Sequence, residues 1–166
     1  RYPGARCDIE SLVYCYSFSP IIDDEWSWTE RYATQPEIVR YINFVCDRLD
    51  LRKDICFNSR LVKATFDEEA GFWTFYTENG DVYRARHFVS SAGPISEPIW
   101  PDIPGREKFK GEIYHTAKWP QQEPDFRGKR VGVIGTGSSG TQLIPLVAEQ
   151  LRDEVAFQGL VDGDRK

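Results

Sequence analysis

A glycine-rich turn near the carboxyl end of the chain has the residue types and spacing that bind a nucleotide. It follows the pattern G-x-G-x-x-G, and its members are Gly135, Thr136, Gly137, Ser138, Ser139 and Gly140. In such a turn the first glycine permits the tight bend, the second lets backbone approach a pyrophosphate, and the third lets strand and helix pack closely. A helix that starts here would offer free N–H groups and partial positive charge to phosphates.

The neighbouring segments supply the context that this pattern requires. The apolar run Arg130–Gly135 predicts a buried parallel strand, and residues 138–151 predict a helix that Pro145 interrupts. A further strand is predicted at Glu154–Gln158, and a polar, unstructured tail at 159–166. A plain strand–turn–helix corner is the alternative, but a glycine pattern between strand and helix favours dinucleotide binding.

These residues leave the choice between NAD and NADP open. An acidic residue about 20 positions beyond the turn suits the ribose hydroxyl of NAD, whereas an arginine suits the 2′-phosphate of NADP. The second strand ends at Gln158 and Gly159, which offer neither group, and Arg165 comes too late in the chain.

The elements before the turn indicate a mixed α/β chain. Thr34-Gln35-Pro36-Glu37 has the form of a capping box, and an apolar stripe then predicts an amphipathic helix from about Gln35 to Leu49. Three runs, 61–66, 72–77 and 82–89, predict an antiparallel meander with a hairpin at Asn79-Gly80. The meander is expected to end in a buried run at Phe88–Gly93. Residues 1–33 are predicted to be ordered loop with short helical pieces, and 94–128 a long proline-rich connection.

Composition excludes several classes of partner. The net charge is −5 and no basic run exceeds two residues, which argues against nucleic acid or an anionic membrane. No apolar run is long enough to span a bilayer, and no signal peptide opens the chain. The four cysteines lack metal-site spacing, so we expect no metal and free thiols in a reducing cytoplasm, with a disulfide as the minor alternative. The sequence leaves the oligomeric state open.

Two fingerprints then identify a family. Phe109, Gly111, His115, Trp119 and Pro120 match every fixed position of F-x-G-x-x-x-H-x-x-x-W-P, the fingerprint of the type I Baeyer–Villiger monooxygenases. The start of the chain, residues 2–8, resembles the second half of that family's other fingerprint, and the resemblance continues to about Gln158. Methionine is absent, and residues 2–8 match only the second half of that other fingerprint. We therefore expect the sequence to be an internal fragment of a longer protein.

The resemblance implies an architecture, two cofactors and a reaction. The expected fold is α/β: part of a flavoprotein with two dinucleotide-binding, Rossmann-like domains and an antiparallel β-meander. Residues 1–93 would belong to the FAD domain, 94–128 to a linker that carries the fingerprint, and 129–166 to the start of the NADP domain. NADPH would reduce FAD, and one oxygen atom of O2 would be inserted next to the carbonyl of a ketone to give an ester or lactone. The cofactor carries this chemistry, and the protein holds and shields it.

The same resemblance implies site residues. Asp8 matches an aspartate near the flavin, with an expected electrostatic role beside an arginine that this sequence lacks; a turn carboxylate is the alternative. Arg6 and Cys7 match positions beside the nicotinamide, and Tyr14 a contact of FAD, with core packing as its alternative. The remaining cofactor positions, beside the turn residues 135–140, are Leu61, Ala92, Gly93 and Gln142.

The fingerprint histidine is not expected to be a base. Histidine is the usual general base near neutral pH, but a hydrogen-bonded structural role suits His115 in a linker better. Phe109 and Trp119 are likewise expected to be packing anchors.

The sequence also departs from the family. Where an arginine usually follows Phe157-Gln158 and binds the 2′-phosphate, Gly159 stands here, which removes a charge-assisted contact and puts selectivity for NADPH in doubt. The first FAD glycine loop and the substrate region are missing, so we expect the isolated chain to be inactive and to hold FAD weakly. Two other functions stay open: an N- or S-oxidising flavin monooxygenase, and a non-catalytic nucleotide-binding remnant.

Overall fold

A computed structural model describes residues 2–93 and 97–151, and the backbone of 157–160. The chain divides into two compact units. The first unit comprises Arg1–Arg48 and Glu97–Lys166, and the second comprises Leu49–Ser96. The predicted mixed α/β character is confirmed, and so is the three-stranded antiparallel sheet.

The amino-terminal part of the first unit is built around one amphipathic helix. Helix α1 spans Pro20–Glu25 and helix α2 spans Gln35–Arg48. Tyr41 and Val45 of α2 are buried, and the rings of Trp26 and Trp28 pack on Tyr41 at centroid distances of 5.2 and 4.8 Å. The loop with short helical pieces predicted for residues 1–33 is therefore confirmed, and aromatic packing on α2 orders it.

The predicted capping box is wrong in one respect. Glu37 is buried, and its carboxylate accepts hydrogen bonds from the backbone N–H of Thr29 at 2.8 Å and from the Thr29 hydroxyl at 2.9 Å. The side chain therefore joins α2 to the preceding loop, because a buried carboxylate is stabilised by several donors at once.

The carboxyl-terminal part of the first unit is a βαβ unit. Strand β4 spans Val131–Ile134, helix α3 spans Ser138–Gln150, and strand β5 spans Phe157–Leu160. Strands β4 and β5 pair in parallel, with Val131 opposite Phe157. Helix α3 packs through its buried residues Leu143 and Val147, together with its C-cap residue Leu151, against Phe126.

Three expectations for this region are corrected. The helix continues through Pro145, which lies inside α3. Strand β5 continues past the predicted end at Gln158 and includes Gly159 and Leu160; residues 152–156 and 161–166, where the rest of the predicted strand and tail fall, lie outside the described residues. Strand β4 is not buried, since 63% of Ile134 is exposed. Among the described strands only β5 pairs with β4. Val131 packs on the cluster around Leu143, whereas the far end of the strand, at Ile134, is left exposed.

The second unit is the meander. Strands β1 (Leu61–Asp67), β2 (Phe72–Thr77) and β3 (Val82–Ala85) form the sheet in the order β1-β2-β3. At the predicted hairpin, Gly80 has φ +90°, and its N–H donates to the carbonyl of Thr77 at 3.0 Å. A left-handed turn residue of this kind is easily supplied by glycine.

The end of the meander differs from the prediction. Strand β3 stops at Ala85, and the run Phe88–Gly93 is exposed, with Val89 at 84%. Phe88 packs its ring edge on Trp73 and Phe75. The apolar pattern predicted burial, but no strand of the described chain pairs with this run and covers it.

Candidate functional site

The glycine-rich turn joins β4 to α3 in a conformation that depends on its glycines. Gly135 has φ +101°, a left-handed conformation that side chains disfavour. A methyl group added to Gly140 would overlap the carbonyl oxygen of Gly135 and lie 3.2 Å from its carbonyl carbon. The first and third glycines of the pattern are thus required by the backbone of the turn itself.

The middle of the turn leaves space at the start of the helix. Gly137 is the N-cap residue of α3, and no side chain caps this end. Its carbonyl accepts hydrogen bonds from the N–H of Thr141 at 3.0 Å and from the Thr141 hydroxyl at 3.2 Å. A methyl group added to Gly137 would meet no atom within 4 Å. The N–H groups of the first helical turn have no acceptor inside the helix, so this open end suits an anionic ligand.

The amino-terminal segment 2–8 lies against the same helix. A methyl group on Gly4, which has φ +76°, would come within 2.6 Å of the Gln142 carbonyl oxygen and 2.9 Å of Leu146 Cδ1. Gln142 also binds this segment with its side chain: Oε1 accepts from the Tyr2 hydroxyl at 2.7 Å and from Arg6 N–H at 3.2 Å. Gln142 Nε2 donates to the Arg6 carbonyl at 3.2 Å. The structure therefore places residues 2–8, which match part of a family fingerprint, against helix α3, the helix that follows the glycine-rich turn.

The residues predicted beside the nicotinamide and the flavin sit in different surroundings. The Arg6 guanidinium lies 3.3 Å from the carboxylate of Glu30, and both side chains are partly exposed. Cys7 is buried, and burial raises the pKa of its thiol, so the thiol is protonated near neutral pH. The Cys7 side chain faces the interior, which leaves its backbone and its neighbours for contact with a ligand.

Asp8 is exposed and has one side-chain partner in the described structure. The Tyr14 hydroxyl donates a hydrogen bond to Asp8 Oδ1 at 3.2 Å. Partial burial, followed by this bond, raises the pKa of Tyr14, so its hydroxyl keeps its proton. Tyr14 is 42% exposed, so core packing does not account for it; it offers a donor to Asp8 and an open ring face.

The linker fingerprint packs beneath helix α3. The ring of Trp119 lies 5.7 Å from Tyr114 and 6.2 Å from Phe126, and both Tyr114 and Trp119 join the core formed by Leu143 and its neighbours. Trp119 is thus a packing anchor, as predicted. Phe109 is not, because 61% of it is exposed, with its ring lying over Gly111.

His115 has a structural contact, in line with the role expected of it. Its Nδ1 accepts a hydrogen bond from Ala117 N–H at 3.1 Å and so caps a short 3-10 turn, Thr116–Lys118. Its ring lies edge-on to Trp100 at 5.1 Å.

The predicted flavin contacts of the second unit are open to solvent. Leu61 begins β1 and is 43% exposed. Ala92 and Gly93 follow the meander and are exposed, and a methyl group on Gly93, at φ +76°, would meet no atom within 4 Å. These positions leave room for a ligand within that unit.

Sequence reasoning missed two residues of the site. Tyr2 and Gly4 were noted only as part of the fingerprint, although they contact α3 directly. No local signal identifies these contacts, because their partners lie about 140 residues away in the sequence. In the described part of the chain no cluster of three or more potential metal ligands is found. No described helix has both the length and the apolar character needed to cross a membrane.

The chain is a mixed α/β protein, and its parallel strand–glycine turn–helix–strand unit has the form typical of dinucleotide-binding domains. The family described as flavin-binding monooxygenase-like matches residues 8–156, and the chain belongs to this family.

Two curated relatives illustrate the range of the family. Phenazine N-monooxygenase PhzNO1 of Lysobacter antibioticus is 45% identical over 158 residues, covering 95% of this chain and 29% of that protein. Acetone monooxygenase (methyl acetate-forming) of Gordonia sp. strain TY-5 is 42% identical over 157 residues, covering 95% of this chain and 30% of that protein. The chain thus spans 29–30% of the length of these relatives.

Solved structures match over the same extent. An oxidised steroid monooxygenase bound to NADP is 57% identical with a TM-score of 0.79, covering 90% of this chain and 29% of that one. The protein OTEMO in complex with FAD and NADP is 45% identical with a TM-score of 0.78 and the same coverage.

Proposed function

We propose that this chain carries the nicotinamide-nucleotide turn and the flavin-side aspartate of an FAD- and NADPH-dependent Baeyer–Villiger monooxygenase. One observation carries the proposal: Gln142, two residues beyond the glycine-rich turn, binds the backbone of Arg6, two residues before Asp8. One helix thereby supports both the residues assigned to NADPH and those assigned to the flavin side.

The residues of the first unit fit a dinucleotide. The Gly137 α-carbon leaves an open approach, and the N–H groups of Ser138 and Ser139 lie in the first turn of α3, where a pyrophosphate accepts hydrogen bonds. In the second unit, Leu61, Ala92 and Gly93 are accessible for FAD. On this proposal residues 1–93 belong to the FAD domain, 94–128 to the linker and 129–166 to the NADP domain, as parts of a flavoprotein with two dinucleotide-binding domains.

The residues of this chain would position the reacting groups and would not themselves form or break covalent bonds. The two cofactors, when bound, would supply the reducing power and the activation of O2 for oxygen insertion beside the ketone carbonyl. Asp8 provides fixed negative charge near that reaction, which favours a nearby cation that stabilises developing anionic charge. Tyr14 orients the Asp8 carboxylate through its hydrogen bond. The protonated Cys7 thiol takes no part as a nucleophile.

A small-molecule ketone, together with O2, is the proposed substrate. The Gordonia relative is an acetone monooxygenase that forms methyl acetate, which is insertion of oxygen beside a carbonyl. The sequence of residues 1–33 further suggests closeness to phenylacetone monooxygenase, and this finer assignment remains part of the proposal.

N-oxidation is the competing activity, because the Lysobacter relative is named a phenazine N-monooxygenase. The Trp119-Pro120 ending of the fingerprint favours Baeyer–Villiger chemistry over N-oxidation.

Calorimetric titration of the 166-residue chain with NADP+ tests the nucleotide site, and we expect binding. Activity is tested in a chimera in which this chain replaces the 157 matched residues of the Gordonia acetone monooxygenase. With NADPH and 18O2 we expect labelled methyl acetate from acetone. A chimera that keeps its flavin absorbance but converts only phenazine to its N-oxide would favour the competing activity. A chimera that keeps its flavin but oxidises neither substrate would refute a catalytic role for these residues.

A further inference from the structure

Gln142 is placed to act as a link between two segments that are remote in sequence. It is the fifth residue of helix α3, one turn beyond the N-cap Gly137. Its side-chain amide makes three hydrogen bonds to the segment 2–8: one from the Tyr2 hydroxyl, and one each with the N–H and the carbonyl of Arg6. The bonds join residues that are 136 to 140 positions apart.

The pairing with Arg6 has the form of a backbone pairing. The amide of Gln142 accepts from Arg6 N–H and donates to the Arg6 carbonyl, both at 3.2 Å, and therefore satisfies both polar backbone groups of one residue. Only an amide side chain combines an acceptor oxygen with an N–H2 donor in this arrangement. A carboxylate of the same length would lose the donor, and an apolar side chain would lose both.

The backbone on both sides of Arg6 also makes close contacts. Gly4 lies so near the Gln142 carbonyl that no side chain fits. On the other side, Cys7 N–H donates to the Ala33 carbonyl at 2.8 Å. Asp8 follows Cys7, so its position depends both on where α3 holds Arg6 and on the bond between Cys7 and Ala33.

We propose that Gln142 is a positioning residue: it fixes Arg6, and through it Asp8, to the helix that begins at the nucleotide turn. The proposal rests on the function proposed above. Because Gln142 and the turn share α3, a nucleotide that binds the start of the helix changes the surroundings of Asp8 through this amide. Gln142 needs no contact with the nucleotide to do so.

The test uses three variants of the 166-residue chain. Gln142→Met removes all three bonds while keeping the length of the side chain, and Gln142→Glu keeps the acceptor but loses the donor. The matched control is Gln150→Met, on the same helix, where the lost bond is the one from Phe126 N–H to Gln150 Oε1 at 3.3 Å. Backbone N–H signals of Arg6, Asp8 and Phe126 are followed by NMR, with and without NADP+, and affinity is measured by calorimetry.

In Gln142→Met we expect the Arg6 N–H to exchange with solvent about five to ten times faster, as the loss of one hydrogen bond implies. In Gln150→Met the N–H of Phe126, and not that of Arg6, should exchange faster with solvent. At NADP+ concentrations that saturate each variant, by the affinities that calorimetry gives, NADP+ should shift the Asp8 signal in the native chain and in Gln150→Met, and much less in Gln142→Met. The NADP+-induced shift of the Asp8 signal in Gln142→Glu should fall between that of the native chain and that of Gln142→Met. If Gln142→Met does not fold, Gln142→Glu is compared with the native chain in its place.

The outcomes separate the two proposals. If NADP+ binds but shifts Asp8 equally in the native chain and in the Gln142 variants, the role of Gln142 is refuted while the nucleotide site stands. If the native chain binds no NADP+, the nucleotide site is refuted, and the role of Gln142 falls with it.

Discussion

The second and third glycines of the turn should respond to the same substitution in opposite ways. In Gly140→Ala the added methyl group overlaps the Gly135 carbonyl oxygen, which is backbone and has no rotamer into which it can retreat. In Gly137→Ala the methyl group meets no atom within 4 Å, and φ −67° with ψ −177° is extended backbone that alanine adopts readily. One substitution therefore strains the fold, and the other only narrows the open end of the helix.

The expected magnitudes follow from these contacts. Gly140→Ala should lower the free energy of unfolding by about 1–3 kcal/mol, the usual cost of overpacking. Gly137→Ala should change it by less than about 1 kcal/mol, because the reduced freedom of the unfolded chain is offset by the poorer helix N-cap that alanine makes. Gly137→Ala should nevertheless weaken NADP+ binding at least about tenfold, or ~1.4 kcal/mol, since the methyl group occupies the path of the pyrophosphate.

Urea unfolding followed by tryptophan fluorescence measures the stability, and calorimetry measures the affinity for NADP+. The two variants are controls for each other, since both add one methyl group to the same turn. A Gly137→Ala chain that is as stable as the native chain and binds NADP+ equally well would refute the assignment of this turn as the nucleotide cradle. A fully stable Gly140→Ala chain would refute the geometry of the turn.

Three further predictions concern stability and thiol chemistry. Leu143→Ala should cost about 2–5 kcal/mol in urea unfolding because Leu143 lies on the buried face of α3, in the cluster with Phe126. A loss below ~1 kcal/mol would contradict that burial. Glu37→Ala should cost about 1–3 kcal/mol, since it leaves the N–H of Thr29 without its acceptor, whereas Glu37→Gln keeps an acceptor and should lose less. In native protein at pH 7 an aromatic disulfide reagent should modify exposed Cys56 but not Cys7, because burial both shields the Cys7 thiol and raises its pKa. If Cys7 were modified at the same rate in native and in unfolded protein, this prediction would be wrong.

Elements with a local cause could be predicted from the sequence. Helix α2 follows from an apolar stripe at helical spacing, and the hairpin at Gly80 from a residue that accepts positive φ. The glycine-rich turn belongs to the same class, because its pattern reflects the backbone geometry of six consecutive residues. Local spacing and conformational preference decide such features before any distant contact forms.

Burial and partner choice were predicted less well. The runs at Phe88–Gly93 and β4 look like buried strands because they are apolar, yet Val89 and Ile134 are largely exposed in the described chain. Glu37 has the spacing of a capping residue but bonds Thr29 instead. Exposure depends on which strands and helices lie alongside, and that information is not contained in the apolar run itself.

The candidate site shows the same division. Residue types and spacing were sufficient to predict the glycine-rich turn, the helix behind it and the family to which the fingerprint segments belong. Only the folded chain placed the Arg6 backbone on the side-chain amide of Gln142 and Gly4 on the helix backbone. Hydrogen bonds between groups some 136 residues apart have no periodicity or neighbouring signal in the sequence, because they form only after both segments have packed on one helix.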